Sequence, residues 1–221
     1  MDYHNKYLKY KMKYIKLCKK LESNQVGGGK SLWIEENFFS KKDFNDILNY
    51  CSNCSLKNDD RSQNRYTLCL SPVKHSFIYD KIYKNQNFIN FINSIKDDGV
   101  RIKEKPSYPI EYRKYFTGSE GMGWHQDTSL FDPDAFEIVL TLTNTSDSKF
   151  KWKENLFYEK SISPKPNTLA VVRPRSVLHK VSKVNYGERT ILKFIVEFIK
   201  DGKEDNIQKG SFSEELKKCP F

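Results

Sequence analysis

The sequence predicts a mainly β fold, with a double-stranded β-helix core (jelly-roll or cupin-like) and flanking α-helices. From residue 108 onward, short runs rich in Ile, Val, Thr, Tyr and Phe alternate with turns, as in half-buried strands. Two amphipathic helical patterns precede these runs. No helix of adequate length separates the runs, which argues against a parallel α/β fold. Seven or eight short strands after two helices are typical of a jelly roll with helices on one side.

The individual elements follow from local patterns. Ser40 is a suitable N-cap for the amphipathic segment KKDFNDILNYC, and residues 78–96 repeat apolar side chains at helical spacing and predict a second helix. The polar residues 52–65 predict a loop. The predicted strands are 110–116, 122–127, 136–143, 155–160, 167–173, 177–184 and 189–199.

Length and composition predict one compact domain with an appendage. The 221 residues include 15 Phe and 13 Tyr, enough to build a core despite 30% charged residues. No apolar run approaches the ~18–20 residues that span a bilayer, and the N-terminus does not resemble a secretory signal. We therefore expect a cytoplasmic protein, in host-cell cytoplasm or a virion if the chain is viral. The expected parts are a basic amphipathic helix (1–26), a Gly-rich linker (27–31), a domain (32–200) and a polar tail (201–221).

The first 30 residues carry much of the basic charge. They hold eight Lys against Asp2 and Glu22, which is +6 of the net +10. Because the Lys residues that flank the apolar stripe of this helix have no acidic partners, a parallel self-dimer would be repelled, and two alternatives remain. The helix docks on an acidic protein, a nucleic acid or an anionic membrane surface, or it caps its own domain. Its aromatic-aliphatic stripe has heptad spacing and comprises Tyr3, Tyr7, Tyr10, Tyr14, Leu17 and Leu21.

Two further N-terminal features bear on function. The string KYLKYKMKYIKL resembles an N-terminal segment of proteins from giant amoeba-infecting DNA viruses. The following GGGKS is not a phosphate-binding loop, because Asn24 stands where that motif requires its first Gly. We therefore treat residues 27–29 as a flexible joint.

The five cysteines are expected to be reduced. An odd number without regular spacing does not form a disulfide framework. Cys51 and Cys54 form a Cys-x2-Cys pair, but a zinc site needs two more ligands, and no second Cys pair exists. A redox pair would require a preceding strand and a following helix.

A metal-binding constellation is the main functional signal. Of the four His, His4 and His75 are expected to be solvated. His125 and Asp127 stand at positions i and i+2 of a predicted strand, so their side chains point to one face. His179 follows 54 residues later on another predicted strand, and a jelly roll brings such strands face to face. Two imidazoles and one carboxylate on one side of a metal form the facial triad of non-haem Fe(II) oxygenases.

Arg189 follows His179 by ten residues, just after the turn at 185–187. A hairpin-like return would bring it into the same interior, where a buried guanidinium needs an anion and fits a carboxylate with two parallel hydrogen bonds. The alternative is an arginine at the surface or paired within the protein. The sequence also leaves open whether Lys193 and Arg113 line the same interior. Lys193 shares a strand face with Arg189, and we favour a position at a strand end in solvent over one beside the metal, where it would meet an acidic substrate group.

The motifs WHQD (124–127) and LHKVSKVNYGERTILKF (178–194) resemble those of 2-oxoglutarate- and Fe(II)-dependent dioxygenases, specifically the prolyl-hydroxylase-like branch. The resemblance covers about residues 108–199 and includes a strand Tyr and a Gly before the first His. It implies that Fe(II) is bound by His125, Asp127 and His179. It further implies that Arg189 binds the distal carboxylate of 2-oxoglutarate and that Tyr115 contacts this cosubstrate. Looser candidates are Thr141 and Thr143.

The resemblance implies an oxygenase that uses O2, Fe(II) and 2-oxoglutarate, with ascorbate as a further candidate, to hydroxylate a peptidyl, prolyl-type side chain. The alternatives are oxidation of nucleic acid or a small molecule by the same chemistry, and a non-catalytic cupin-like binding module. A hydrolytic zinc site with the same three ligands would leave Arg189 unexplained.

Overall fold

The computed structural model describes residues 31–200, except 105, 129–130, 132 and 154–157. The predicted N-terminal helix, nearly all of the Gly-rich linker and the C-terminal tail lie outside the described residues. Within the described part, no helix has both the length and the apolar character needed to cross a membrane.

The first predicted helix is confirmed as α1, Lys41–Ser52. The Ser40 hydroxyl accepts a hydrogen bond from the backbone N–H of Asp43 at 3.1 Å, which satisfies one of the free donors of the first turn. The helix buries Phe44, Ile47 and Cys51 along one side. The predicted amphipathic pattern therefore faces the core.

The second predicted helix is wrong as a single element. Residues 76–95 form two helices, α2 (Ser76–Tyr83) and α3 (Gln86–Ile95). Between them, Asn85 takes an extended conformation, and its side chain accepts from the Phe88 N–H at 3.2 Å. This side-chain cap competes with continuation of the helix. The helical spacing of apolar residues therefore continues in the sequence across a point where the helix itself is broken.

Most predicted strands are present, and several were missed. The missed strands include the short or polar β1 to β4. In place of the predicted strand 155–160 the chain has β8 and β9 on either side of undescribed residues. The strands are β1 (Leu32–Glu35), β2 (Lys57–Asn58), β3 (Arg65–Leu70), β4 (Val100–Ile102), β5 (Ile110–Phe116), β6 (Met122–His125), β7 (Phe136–Asn144), β8 (Phe150–Lys153), β9 (Glu159–Ile162), β10 (Thr168–Val172), β11 (Leu178–Val181), β12 (Glu188–Val196) and β13 (Phe198–Lys200).

The strands form two facing antiparallel sheets and a small third one. The major sheet has the order β1-β10-β7-β12-β5-β3-β2, the minor sheet β6-β11-β8-β9, and β13 pairs with β4. Each pairing is antiparallel, and sequence-distant strands are neighbours, as in a double-stranded β-helix. The predicted fold class is confirmed.

The two faces of the major sheet have opposite character. On one face, apolar side chains such as Leu140, Leu192 and Phe194 pack with Ile82 and Phe88 of the helices in one buried cluster. The alternate residues of the same strands face the minor sheet and are largely polar or charged. Helix packing thus stabilises one face of the major sheet, and the polar face toward the minor sheet is available for a functional site.

The expectation of reduced cysteines is correct for Cys51 and Cys54, which are free. Burial raises the pKa of the Cys54 thiol, and it raises that of Cys51 above the usual range, so both favour the unreactive protonated form. For Cys69 the expectation is wrong, because this residue is disulfide-bonded.

Candidate metal centre and cavity

The structure brings His125, Asp127 and His179 together. His125 at the end of β6 is directly paired with His179 of β11, and their ring centroids lie 4.3 Å apart. The Asp127 Oδ1 atom is 3.5 Å from His125 Nε2, and its Oδ2 atom is 3.5 Å from His179 Nε2. One donor atom from each of the three residues falls within 4.8 Å of the others. The three side chains can therefore surround a single metal ion.

Backbone contacts orient both imidazoles. His125 Nδ1 lies 2.8 Å from the Gly123 carbonyl oxygen, and His179 Nδ1 lies 3.1 Å from that of Val177. A carbonyl oxygen can only accept, so each Nδ1 carries the proton and donates it. In the neutral rings the Nε2 lone pairs then face Asp127, which is the arrangement of metal-ligating histidines.

Asp127 fits a cation between the two rings. Its Oδ2 atom is buried and has no hydrogen-bond partner among the described residues. Burial, together with the nearby Glu137 carboxylate, raises the pKa of Asp127, and a cation bound between the rings would offset both effects by stabilising the ionised carboxylate. Two neutral imidazoles and a carboxylate are the donor set of the facial-triad Fe(II) sites, so the residues present fit the implied metal.

A cavity of ≈ 390 Å³ extends from this triad between the two sheets. Its other end, here called the basic end, is formed by Arg65, Tyr115 and Arg189, and Arg113 lines the cavity between the two ends. Tyr115 lies directly opposite both Arg65 and Arg189 in the major sheet, so these side chains form a row across three strands. The cavity thus joins a metal-binding end to a cationic end.

Arg189 lies in the cavity, as the sequence analysis expected. It is buried (5% exposed), it forms no ion pair among the described residues, and its Nε atom has no hydrogen-bond partner there. Burial lowers the pKa of this guanidinium, and the nearby Tyr115 offsets only part of that effect. An unpaired buried guanidinium calls for an anion, and a carboxylate matches its shape.

The two threonine candidates are separated by a register shift. The Thr141 side chain lines the cavity. The pairing of β7 with β12 shifts between Thr190 and Ile191, so that Thr143 pairs with Thr190 and its hydroxyl donates to the Thr190 hydroxyl at 2.9 Å. Thr143 is outside the cavity lining for this reason. Regular alternation along the strand could not reveal this irregularity.

The favoured position of Lys193 at a strand end in solvent is wrong. Lys193 lines the cavity and forms an ion pair with Glu137 of the neighbouring strand. Both side chains affect the Asp127 carboxylate electrostatically, which places the pair at the triad end. The apolar residues that flank Lys193 in sequence pack against the helices, and strand alternation therefore turns Lys193 inward.

Arg113 belongs to a charged network that the sequence analysis missed. It is 8% exposed and donates to Glu111, which also receives an ion pair from Arg61 at 3.3 Å. Arg61 and Arg65 both bind Asp59, at 2.8 and 3.0 Å. The alternation Glu-x-Arg-x-Tyr along β5 was a signal that these three side chains share a face.

His75 differs from the solvated residue that was expected. It is half-buried before α2, and its Nδ1 atom lies 2.9 Å from the Tyr50 hydroxyl. Burial lowers the pKa of His75 and thus favours its neutral form. This histidine stabilises the packing of α1 against α2 and lies apart from the triad.

No protein-family model and no curated protein sequence matches this chain. Solved structures do. A 2OG-Fe(II) oxygenase family oxidoreductase from Burkholderia pseudomallei is similar with a TM-score of 0.59 and 13% identity, over 76% of this chain and 84% of that one. The chain has the fold of these oxygenases.

Two further solved structures are informative. A Trichoplax adhaerens prolyl hydroxylase, in complex with a peptide fragment of the hypoxia inducible factor oxygen degradation domain, has a TM-score of 0.58 and 12% identity, over 85% and 92% of the two chains. HygX from Streptomyces hygroscopicus, with nickel, 2-oxoglutarate and hygromycin B bound, has a TM-score of 0.56 and 7% identity, over 75% and 82%. At such low identities, the TM-scores show a shared fold.

Proposed function

We propose that this protein is a non-haem Fe(II) oxygenase that uses 2-oxoglutarate and O2 to hydroxylate a substrate C–H bond. The observation that carries the proposal is one cavity with a His-Asp-His triad at one end and an unpaired, buried Arg189 at the other. A dicarboxylate cosubstrate spans such a cavity, with one end at the metal and the other at the guanidinium. A zinc hydrolase would have no use for Arg189.

In this proposal His125, Asp127 and His179 hold Fe(II), and Arg189 holds the distal carboxylate of 2-oxoglutarate. When bound, the metal and cosubstrate supply oxidative decarboxylation, which yields succinate and CO2 and oxidises the substrate. The chain's own contribution is orientation, because the fixed ends of the cavity determine the pose of the cosubstrate. Val139, Ala170 and other apolar lining residues limit the access of water.

For the substrate we favour a peptidyl, prolyl-type side chain. Its support is the resemblance of the motifs to the prolyl-hydroxylase-like branch and the shared fold with a prolyl hydroxylase that binds a peptide. A polar small molecule is the second candidate. The Lys193–Glu137 pair beside the triad favours it, because the pair offers donors and an acceptor to a polar substrate rather than an apolar wall.

The first experiment measures succinate formed from 2-oxoglutarate after anaerobic Fe(II) loading and addition of O2. We expect slow turnover by the wild type, none by His125→Ala, and a much higher requirement for 2-oxoglutarate in Arg189→Ala. Lys114→Met is the matched control, because Lys114 lies on β5 outside the cavity lining and pairs with Glu188. Absence of both turnover and metal-dependent 2-oxoglutarate binding in the wild type would refute the proposal and favour a binding module.

A further inference from the structure

The minor sheet carries lysines on the face that points away from the cavity. Phe150 of β8 and His179 of β11 line the cavity, so strand alternation turns the residues next to them outward. We call Lys151, Lys153 and Lys180 the lysine strip. Lys180 pairs directly with Lys151 across the two strands. Like charges in directly opposite positions destabilise a sheet, and a bound anion would relieve that repulsion.

Two ammonium groups of the strip are held on an aromatic ring. The Nζ atom of Lys180 lies 4.5 Å from the centroid of the Trp124 ring, and that of Lys153 lies 5.0 Å from it. These cation–π contacts order the two side chains before any ligand arrives, which reduces the entropy cost of binding. Glu159 is the only acidic residue in the four strands of the minor sheet, and it binds Lys151 at 2.8 Å. The strip therefore keeps a net positive charge.

The basic excess of the domain is concentrated on this side. Residues 149–183, which contain β8, β9 and β11, hold nine Lys and Arg against two Glu, whereas the rest of residues 31–200 holds 17 basic and 19 acidic residues. Three of the nine, Lys165, Arg173 and Arg175, pair with acidic residues elsewhere, which leaves six lysines. Charge segregated in this way attracts a polyanion to one face of the domain.

The shape of the face and its aromatic neighbours favour a single-stranded nucleic acid. Tyr158, which is 68% exposed, directly precedes β9, and Tyr186, which is 64% exposed, lies in the turn between β11 and β12. Single strands bind where lysines contact phosphates and aromatic rings stack on bases. A duplex is read by an element that enters its groove, and a four-stranded face is too broad to do so. An acidic peptide would use the lysines but not the tyrosines.

We propose that the lysine strip binds the phosphate backbone of single-stranded nucleic acid. The strip lies on the reverse face of the strands that carry His125 and His179, so it is a docking surface separate from the cavity. Binding there requires neither a metal nor a cosubstrate, and the inference is therefore independent of the proposed function.

The test measures binding of a fluorescent oligothymidylate of about 20 nucleotides to the full chain by anisotropy at several salt concentrations. The strip variant replaces each lysine of the strip with Gln. The matched control makes the same change in net charge at three exposed lysines outside the minor sheet, Lys41→Gln, Lys57→Gln and Lys74→Gln. The basic residues 1–30 are common to all the proteins, so the comparison isolates the strip.

We expect the strip variant to bind about 100-fold more weakly at about 0.1 M salt, with a salt slope lower by about 2, because each lost phosphate contact removes about 0.7 from the slope. The control variant should bind within about threefold of the wild type. In the wild type, the oligonucleotide should slow chemical acetylation of the strip, mapped by mass spectrometry, and leave Lys41, Lys57 and Lys74 unprotected.

Equal losses of affinity in the strip variant and the control would overturn the proposal, and so would a strip that the oligonucleotide does not protect from acetylation. Tighter binding of polyglutamate than of oligothymidylate would overturn it in favour of an acidic protein partner. Tighter binding of a DNA duplex would overturn the assignment to single strands. Urea unfolding of each variant excludes loss of the fold as the cause of weaker binding.

Discussion

Gly121, one residue before β6, lies in close contact with the backbone at the end of β11. A Cβ atom on Gly121 would lie 2.1 Å from the carbonyl oxygen of Val181 and 2.7 Å from the carbonyl carbon of Ser182. Real Cβ atoms essentially never approach below 3.0 Å, so Gly121→Ala must push these segments apart by about 0.9 Å. The obstructing atoms belong to the backbone, and a side-chain rotation cannot relieve the contact.

The strands that Gly121→Ala would separate are the ones that pair His125 with His179. Overpacking of this kind costs about 1–3 kcal/mol of unfolding free energy. It also moves one imidazole away from the other ligands, and disturbances of metal-ligand orientation typically cost about 10–100-fold in metal affinity. We therefore expect the variant to fold with reduced stability and to bind divalent metal about 10–100-fold more weakly.

The assay is titration of the apo protein with Co(II), followed by visible absorption, and urea unfolding without metal. Gly123→Ala is a matched control two residues along, because a Cβ there would meet nothing within 4 Å. The steric reasoning is refuted if Gly121→Ala binds Co(II) as tightly as Gly123→Ala. This includes the case in which both variants bind Co(II) more weakly than the wild type by the same factor, because backbone stiffness rather than the contact would then be the cause.

Three more changes test the charges and the helix cap. Lys193→Met should lower the unfolding free energy by about 2 kcal/mol, a value between those of exposed and fully buried ion pairs, because it leaves Glu137 unpaired beside Asp127. Adding Glu137→Gln should recover part of that loss in urea unfolding. Burial alone would raise the pKa of Asp59, but bonds from arginine and threonine side chains hold it well below the usual range. The contribution of Asp59 to the unfolding free energy is therefore present above pH ~4 and lost as the pH falls further. Urea unfolding across pH should show that the difference in unfolding free energy between the wild type and Asp59→Asn narrows between pH ~4 and ~2. Ser40→Ala should cost about 1 kcal/mol by the same measurement, through loss of the cap on α1.

The triad was predictable because its information is local. A His-x-Asp pair on a strand fixes two ligands on one face, and the topology then needs to bring only His179 into place. The jelly-roll prediction supplied that topology, and the structure pairs His125 with His179 directly. Arg189 followed from the same logic, since the turn before it reverses the chain toward the triad.

The features that the sequence did not predict depended mainly on the register between paired strands, which alternation within one strand does not reveal. Thr141 and Thr143 appear equivalent in sequence, yet a shift in the β7–β12 pairing turns Thr143 away from the cavity. Lys193 seemed too polar for an interior position, and only its cross-strand neighbour Glu137 explains its burial. The break between α2 and α3 at Asn85 was likewise hidden by apolar spacing that continued across it.

Gly187 links the register of the major sheet to the position of Arg189. Its φ of +74° is the left-handed conformation that favours glycine, and a Cβ there would lie 2.4 Å from the Thr145 carbonyl oxygen. This close approach lets β12 begin at Glu188, with its carbonyl oxygen accepting from the Thr145 N–H at 2.9 Å. Arg189 then falls opposite Tyr115, on the cavity face.

The same register couples the helix-packed core to the site. A slip of β12 by one residue would turn Arg189 and Lys193 toward the helices and bring Leu192 and Phe194 into the cavity. Leu192 and Phe194 are fully buried against the helices, and each such side chain contributes about 1.5–3 kcal/mol of burial free energy. That free energy opposes the slip and holds an unpaired guanidinium in a place where isolated burial would be unfavourable. The apolar residues that alternate with Arg189 therefore keep it available for an anion.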